Sequence, residues 1–285
     1  MKKVIDELRL KLNNEKVVVT CSCGIDSATL LDLVLKAIPC ENVIVAHVNH
    51  NKRKESITEQ EYIESFCMEK NLKLEVLTLP KESNGNFQEW ARNKRYELFE
   101  DEAKKNSAKY ILLAHHANDN LETILMRIMK TSSLKGYAGM EKCTIQNGVY
   151  IYRPLLNTPK EEIENYAKEN NIKYFEDSSN AKDDYTRNRI RHHIVPLLQE
   201  ENPSLFESIS KYSETLLSAN KLLEKVKVEF IENKVSVNNN DIKFNISDLL
   251  SLDEDIRIHV LFRILKKYNL SRVCIDEVYK QILSN

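Results

Sequence analysis

Apolar positions in the first half of the chain follow two alternating rhythms. Short runs of consecutive β-branched and aliphatic residues fill 17–21, 43–48, 72–79 and 110–114. Between and after them, at 26–37, 56–69, 86–106 and 119–130, apolar residues recur with helical spacing. The runs predict strands and the spaced patterns predict helices. Strand and helix in regular alternation predict an α/β fold, a doubly wound parallel sheet with helices on both faces. Ligands of such sheets bind beyond the carboxyl ends of the strands, near the point where strand order reverses.

The second half reads differently. Thr158-Pro159-Lys160-Glu161 predicts a helix start, with Thr158 as N-cap, Pro159 at the first helical position and Glu161 completing a capping box. That helix runs to about 171 and is followed by a short extended piece at 172–175. From Asn202-Pro203-Ser204 onward a long amphipathic pattern covers 204–229, with further helix at 247–252 and 255–268 and a polar loop at 238–241. The division predicted is an α/β domain at 1–204 and a smaller all-helical domain at 205–285.

Composition narrows the class. The 285 residues are 42% hydrophobic and 30% charged, with a net charge of −1, the profile of a folded chain with ample core material. A uniformly basic surface is excluded, so any nucleic-acid contact must come from local clusters. Met1-Lys2-Lys3-Val4-Ile5-Asp6-Glu7 reaches two acids before any apolar core, unlike a signal peptide, and no apolar run is long enough for a membrane span. A cytoplasmic protein is expected. The six cysteines include no Cys-x-x-Cys pair, which predicts reduced thiols, and Cys21-x-Cys23 lacks the second ligand pair a metal site would need.

The most informative segment joins the first strand to the first helix: Val17-Val18-Val19-Thr20-Cys21, then Ser22-Cys23-Gly24-Ile25-Asp26-Ser27. A strand that turns through small residues into a helix leaves backbone N–H groups free at the positive end of the helix dipole, a cradle for phosphate. One of only five glycines sits in this turn, which points to close approach by a ligand. Neither Gly-x-x-x-x-Gly-Lys-[Ser/Thr] nor Gly-x-Gly-x-x-Gly is present.

Polar clusters close other strands. His47-Val48-Asn49-His50 ends the second, before basic Lys52-Arg53-Lys54. His115-His116-Ala117-Asn118-Asp119 ends the fourth, with Glu122-Thr123 one turn on. On the intervening helix Arg92 and Arg95 share a face, with Tyr96 four residues after Arg92. Each has an ordinary reading as structural histidine, solvated arginine or dipole partner, but their convergence on one sheet edge points to a site. The densest basic patch follows Asp177-Ser178-Ser179-Asn180: in Asp183-Asp184-Tyr185-Thr186-Arg187-Asn188-Arg189-Ile190-Arg191-His192-His193, helical spacing puts Arg187 and Arg191 on one face and Arg189 on another. Clustered arginines suit phosphate recognition.

Ser22–Ser27 resembles the Ser-Gly-Gly-x-Asp-Ser loop of PP-loop ATP pyrophosphatases, with Cys23 where that family usually has its first glycine. A positive φ would be costly there. His47-Val-Asn-His50, Ala91-Arg92 with Arg95-Tyr96, His115-His116-Ala-Asn-Asp119 with Glu122-Thr123, Gly136-Tyr-Ala-Gly139-Met140, Arg153-Pro154-Leu155 and Asp177-Ser-Ser-Asn180 with Tyr185–Arg191 occur in the order found in tRNA(Ile)-lysidine synthetases. The resemblance spans about 17–198 and, more loosely, the helical tail. Asn51-Lys52 and Asn118 depart from that pattern, which usually has Gly-Leu and often Asp there.

The resemblance implies ATP-dependent ligation of free L-lysine to C2 of the wobble cytidine in the CAU anticodon of tRNA(Ile), through an adenylated cytidine, with release of pyrophosphate and then AMP. It implies ATP held by Ser22, Cys23, Gly24, Ile25, Asp26 and Ser27 with His47 and Asn49, and Mg²⁺ shared with Asp26. Asp26, Arg92, Asp119, Glu122 and Arg189 would be catalytic; Arg95, His115, Arg187, Asn188 and Arg191 would meet the tRNA. Asp119 or Glu122 would bind lysine or accept its proton, a choice left open. A homodimer is compatible with this reading. The alternatives are another PP-loop tRNA-modifying enzyme and an inactive tRNA-binding relative.

Overall fold

The computed structural model describes residues 1–49, 55–79, 87–130, 132–176, 183–238, 241–265 and 268–284. They divide into two compact units, Met1–Ser213 and Glu214–Asn285. His50, Asn51, the Lys52–Lys54 cluster and Asp177–Asn180 of the sequence reading lie outside the described residues.

The first unit follows the order α1 (Lys2–Leu12), β1 (Val17–Thr20), α2 (Ile25–Ala37), β2 (Val43–Asn49), α3 (Glu55–Glu69), β3 (Lys73–Thr78), α4 (Phe87–Lys105) and β4 (Tyr110–Leu112). Then come α5 (Ala117–Ile128), α6 (Leu134–Tyr137), β5 (Cys143–Gln146), β6 (Val149–Tyr152), α7 (Lys160–Glu169), α8 (Thr186–Arg189), α9 (Val195–Glu201) and the first residues of α10 (Leu205–Lys234), most of which belongs to the second unit. The strands form one sheet in the order β3-β2-β1-β4-β6-β5. β5 runs antiparallel to β6, while the other neighbours are parallel. Strand order reverses between β1 and β4, so the turn after β1 stands at the predicted switch point.

β1 shows why the sheet is buried on both faces. Val17 and Val19 enter one core with Leu8 and Leu12 of α1, Leu30 and Leu33 of α2 and Ile163 of α7. Val18, between them, enters the opposite core with Ile44, Phe99, Ala103, Ile111 and Ile151. Side-chain alternation along a strand requires this split. All three valines are fully buried, which contributes about 1.5–3 kcal/mol each.

Three features differ from the sequence reading. α1 was not anticipated; its Leu8 and Leu12, one turn apart, cover the first core. The β5–β6 hairpin was also missed, although Asn147 and Gly148, both at positive φ (49° and 85°), form the two-residue turn that matches strand twist. Finally, Thr158 does not cap α7. The cap is Pro159 and no capping box forms; the Lys160 N–H is instead accepted by Asn118 Oδ1 at 3.0 Å. A cap supplied from another element satisfies the orphan donor as well as a local one.

The second unit packs Phe230, Leu249, Val260, Leu261, Ile264, Ile275 and Ile282 into its own core. They come from α10, α11 (Ile246–Leu250), α12 (Glu254–Leu265) and α13 (Arg272–Ser284), beside a hairpin of β7 (Ser236–Asn238) and β8 (Asp241–Lys243). Among the described residues no helix is long and apolar enough to cross a membrane.

Candidate active site

The turn after β1 is built from internal hydrogen bonds that leave its outer surface open. Ser27 Oγ accepts from the Ser22 N–H (3.1 Å), donates to the Gly24 carbonyl (3.0 Å) and lies 3.2 Å from Ser22 Oγ. His47 supports the turn from beneath, with Nδ1 2.9 Å from the Cys21 carbonyl. The Phe175 N–H reaches the Cys23 carbonyl at 2.9 Å, so the predicted extended piece at 172–175 braces the turn rather than forming a strand.

The positive φ of the turn does not fall on its glycine. Gly24 is the N-cap of α2 at φ −73°, a conformation open to any residue. The left-handed residue is Cys23, at φ 62°. Its buried Sγ lies 3.5 Å from the Glu59 carbonyl and 3.9 Å from His47 Nδ1. The adjacent Cys21 thiol and burial push the Cys23 thiol well above the usual cysteine range, so it remains protonated.

A second cluster forms where α5 meets the arginine-rich segment. Glu122, fully buried, accepts from Arg187 Nε (2.6 Å) and from Arg191 Nε and Nη2 (2.6 and 3.1 Å). Charge-assisted bonds of this kind offset the desolvation of a buried carboxylate. Both arginines also reach Asp119 Oδ1 at 3.4 Å. Between α8 and α9 the chain passes through a π-helical segment, Ile190–Ile194, just before Pro196. Proline offers no N–H to the preceding turn, a setting in which a helix widens.

Asp119 joins the two clusters. As the third residue of α5 it accepts from the His116 N–H at 3.1 Å, and His116 Nε2 lies 3.4 Å from its Oδ2 and 3.7 Å from Asp26 Oδ2. Burial opposes ionisation of Asp119, but His116, Arg187, His115 and the His116 N–H outweigh it and hold the carboxyl below the usual range. Asp26 Oδ1 is paired with Lys160 Nζ at 2.6 Å.

A cavity of about 280 Å³ opens over these groups. One part is polar, with Ser22, Gly24, Asp26, Ser27, Arg92, Arg95, His115 and Asp119; Ala46, Val48, Phe99 and Leu113 supply apolar surface. The Tyr96 ring, with the Arg92 guanidinium 5.6 Å from its centroid, also lines it. Tyr96 OH and His115 Nδ1 are buried without a hydrogen-bond partner among the described residues. Burial, followed by the charges of Arg153 and Arg92, draws the His115 pKa down to about 4 against the pull of Asp119, leaving a neutral imidazole. An anionic ligand with a flat, largely apolar group fits this lining.

A PP-loop domain model matches residues 1–198. The tRNA(Ile)-lysidine synthase of Francisella tularensis subsp. tularensis (strain WY96-3418) is 32% identical over 281 residues, covering 97% of this chain and 69% of that protein. The chain belongs to the tRNA(Ile)-lysidine synthase family. The family member from Geobacillus kaustophilus (strain HTA426) is 37% identical over 254 residues, covering 86% of this chain and 54% of its own length. The chain thus spans about half the length of that relative. In fold it is similar to the U34-tRNA thiolase NcsA from Methanococcus maripaludis with its [4Fe-4S] cluster, at a TM-score of 0.64 and 18% identity over 76% of this chain and 78% of that one.

Set against the motifs shared with tRNA(Ile)-lysidine synthetases, the predicted residues separate into groups. Ser22, Gly24, Asp26, Ser27, Arg92, Arg95, His115 and Asp119 share the cavity. Cys23 and His47 are buried beneath it, and Asn49 Nδ2 donates to Gln60 Oε1 at 2.6 Å. Ile25 begins α2, and Asn188 is buried on α8. Glu122, Arg187 and Arg191 form their own ion cluster. Arg189 is exposed and donates to the Asp183 carbonyl (2.9 Å) and Thr186 Oγ1 (3.1 Å). The sequence reading gave no role to Lys160, whose contact with Asp26 spans 134 residues. Its only local signal was a basic residue at a helix start.

Proposed function

We propose that the chain ligates free lysine to C2 of the wobble cytidine in the CAU anticodon of tRNA(Ile), using ATP. The cytidine C2 oxygen attacks the α-phosphorus and pyrophosphate leaves; the lysine Nε then attacks C2 and AMP leaves. The observation that carries this reading is the juxtaposition of a phosphate-binding turn with an ionised carboxylate, Asp119, in one cavity. The N-terminus of α2 and the Ser22 and Ser27 hydroxyls would hold the phosphates. Arg92 and Arg95 would face the charge that develops during adenylation, and the exposed Arg189 is a candidate contact for the anticodon loop, with the helical tail from about 205 contacting the tRNA elsewhere.

The carboxylate geometry supports a division of labour. A lysine ammonium loses its proton at a cost of about 4–5 kcal/mol at pH 7, from a reference pKa of about 10.4. A carboxyl held below its usual range binds an ammonium well and a proton poorly. Asp119 is therefore assigned as the ammonium anchor. Glu122, saturated by Arg187 and Arg191, is assigned to position those arginines.

Magnesium fits the donor set. Asp26, Ser22 and Ser27 offer hard oxygens, and among the described residues no group of three or more metal-ligating side chains exists, so phosphate and water would complete the shell. Bound there, the ion would neutralise phosphate charge. Asp26 is the side chain that would hold it.

The test is AMP and pyrophosphate release by the full chain with ATP, lysine and the CAU-anticodon tRNA. Release that needs both lysine and that tRNA is expected. In D119N, which keeps the hydrogen-bond acceptor of α5, lysine-dependent AMP release should fall by about 10²-fold or more while ATP binding persists. AMP formation indifferent to lysine, or to the anticodon, would refute the reading.

A further inference from the structure

The geometry points to Cys21 and Cys23 as a redox-active thiol pair, which a small peroxide entering the cavity oxidises to a disulfide that disables the turn after β1. The two cysteines flank Ser22. Both are buried, at 3% and 1% exposure, but Cys21 forms part of the cavity wall, where a small oxidant reaches it. Their thiols interact directly with one another. Residues two apart have Cα atoms at most about 7 Å from each other, which brings the pair into the range a disulfide bridges.

The turn holds both sulfurs in place. Cys21 Sγ lies 3.8 Å from Ser27 Oγ. Cys23 Sγ lies 3.9 Å from His47 Nδ1, and the same ring nitrogen is 2.9 Å from the Cys21 carbonyl, so one imidazole braces both cysteines. At φ 62° a side chain at position 23 costs the backbone about 1–2 kcal/mol that glycine would not. What it adds is a second sulfur beneath the cavity. Cys67 of α3 is buried in the same core, but it does not line the cavity and is not tethered to Cys21 by a short stretch of chain.

The oxidation proceeds in two steps. The Cys21 sulfur attacks one peroxide oxygen and the O–O bond breaks; the departing oxygen leaves as water with the thiol proton, and Cys21 becomes a sulfenic acid. The Cys23 sulfur then attacks the Cys21 sulfur. The S–O bond breaks as the S–S bond forms, and that oxygen departs as water with the Cys23 proton. The two thiols together lose two electrons, and the peroxide is reduced to two waters. Drawing the sulfurs to bonding distance displaces Ser22, whose N–H donates to Ser27 Oγ at 3.1 Å, and so opens the cradle. Closing so short a ring strains the disulfide, and strained disulfides yield to thiol reductants.

The full chain is treated with hydrogen peroxide, its remaining thiols are alkylated, and it is digested with trypsin. Cleavage after Lys16 and Lys36 places Cys21 and Cys23, with no other cysteine, in one peptide, residues 17–36. That peptide is expected unalkylated and lighter by two hydrogen atoms; reduction with dithiothreitol before alkylation should restore labelling at both cysteines. ATP affinity, measured calorimetrically, should fall by about tenfold or more on oxidation and return on reduction. Cys21→Ser, compared with itself before and after peroxide, should hold its ATP affinity to within about twofold. It retains every other thiol, so an equal loss there would place the effect elsewhere and overturn the inference. A cross-link from peptide 17–36 to the Cys67 peptide, residues 55–70, would overturn it too, as would failure of the disulfide to form or its formation without loss of ATP affinity. The affinity readout rests on reading the turn as an ATP site, whereas the mass change does not: a disulfide in a wild-type chain that binds no ATP even when reduced would refute that reading and leave the thiol pair standing.

Discussion

Replacing Cys23 by alanine and, separately, by glycine measures the conformational cost held in the turn. Both substitutions remove the same Sγ, with its approaches to the Glu59 carbonyl and His47, so that loss cancels between them. What differs is the Cβ on a residue at φ 62°. The left-handed region costs an L-residue about 1–2 kcal/mol, from which glycine is exempt. Glycine also gains freedom in the unfolded chain, worth about 0.4–1 kcal/mol to alanine at ordinary positions. At the middle of these ranges the balance favours Cys23→Gly over Cys23→Ala by about 0.8 kcal/mol, an inversion of the usual order. Urea unfolding followed by the fluorescence of Trp90, the single tryptophan, located on α4, reads the difference as a shift in midpoint at constant slope. An alanine variant more stable than the glycine variant would refute the reasoning.

Two further substitutions test other parts of the site. Gly139→Ala places a Cβ 2.3 Å from Asn120 Oδ1 at φ +80°, where that oxygen accepts the Met140 N–H; a loss of about 2 kcal/mol or more is expected in the same unfolding assay, and an unchanged midpoint would contradict the packing described. His115 binds a proton near pH 6.5 when unfolded but only near about 4 when folded. Between those values the unfolded chain holds the extra proton, so stability falls as pH drops through that window, by at most about 3 kcal/mol before allowance for solvent screening. His115→Asn should flatten the decline, as followed by thermal melts from pH 7 to 4, and an equally steep decline would remove His115 as its cause. Asp119 acts lower: its depressed carboxyl stabilises the fold above the ordinary Asp range, and that contribution is lost as pH falls through its folded pKa.

What the sequence disclosed follows the range of the interaction concerned. β1, β2 and β4 were legible because a strand buried on both faces must be apolar at every position, as Val17, Val18 and Val19 are. The common face of Arg187 and Arg191 followed from helical spacing. That this face meets Glu122 did not, because the contacts cross 65 and 69 residues of chain. Lys160 and Asp26 were hidden for the same reason. Some misses were avoidable: Asn147-Gly148 between two short apolar runs is a hairpin signal. The Thr158 cap failed for a subtler cause, since local pattern ranks candidate caps within one segment and Asn118 competes from outside it.

The clamp on Glu122 also bears on how ionic strength would act on the proposed RNA binding. A free arginine carries an atmosphere that is shared with the phosphates it meets, and neutralising those phosphates releases counterions, which makes affinity fall with salt. Arg187 and Arg191 already have a carboxylate as counterion inside the protein. A phosphate that recruited either would exchange one anion for another. The steepness of the salt dependence would then be set by arginines whose guanidinium groups have no carboxylate attached among the described residues, as with Arg189 on a backbone carbonyl and a threonine hydroxyl. Counting basic residues in the segment would overstate that steepness by the two charges that Glu122 and Asp119 together neutralise.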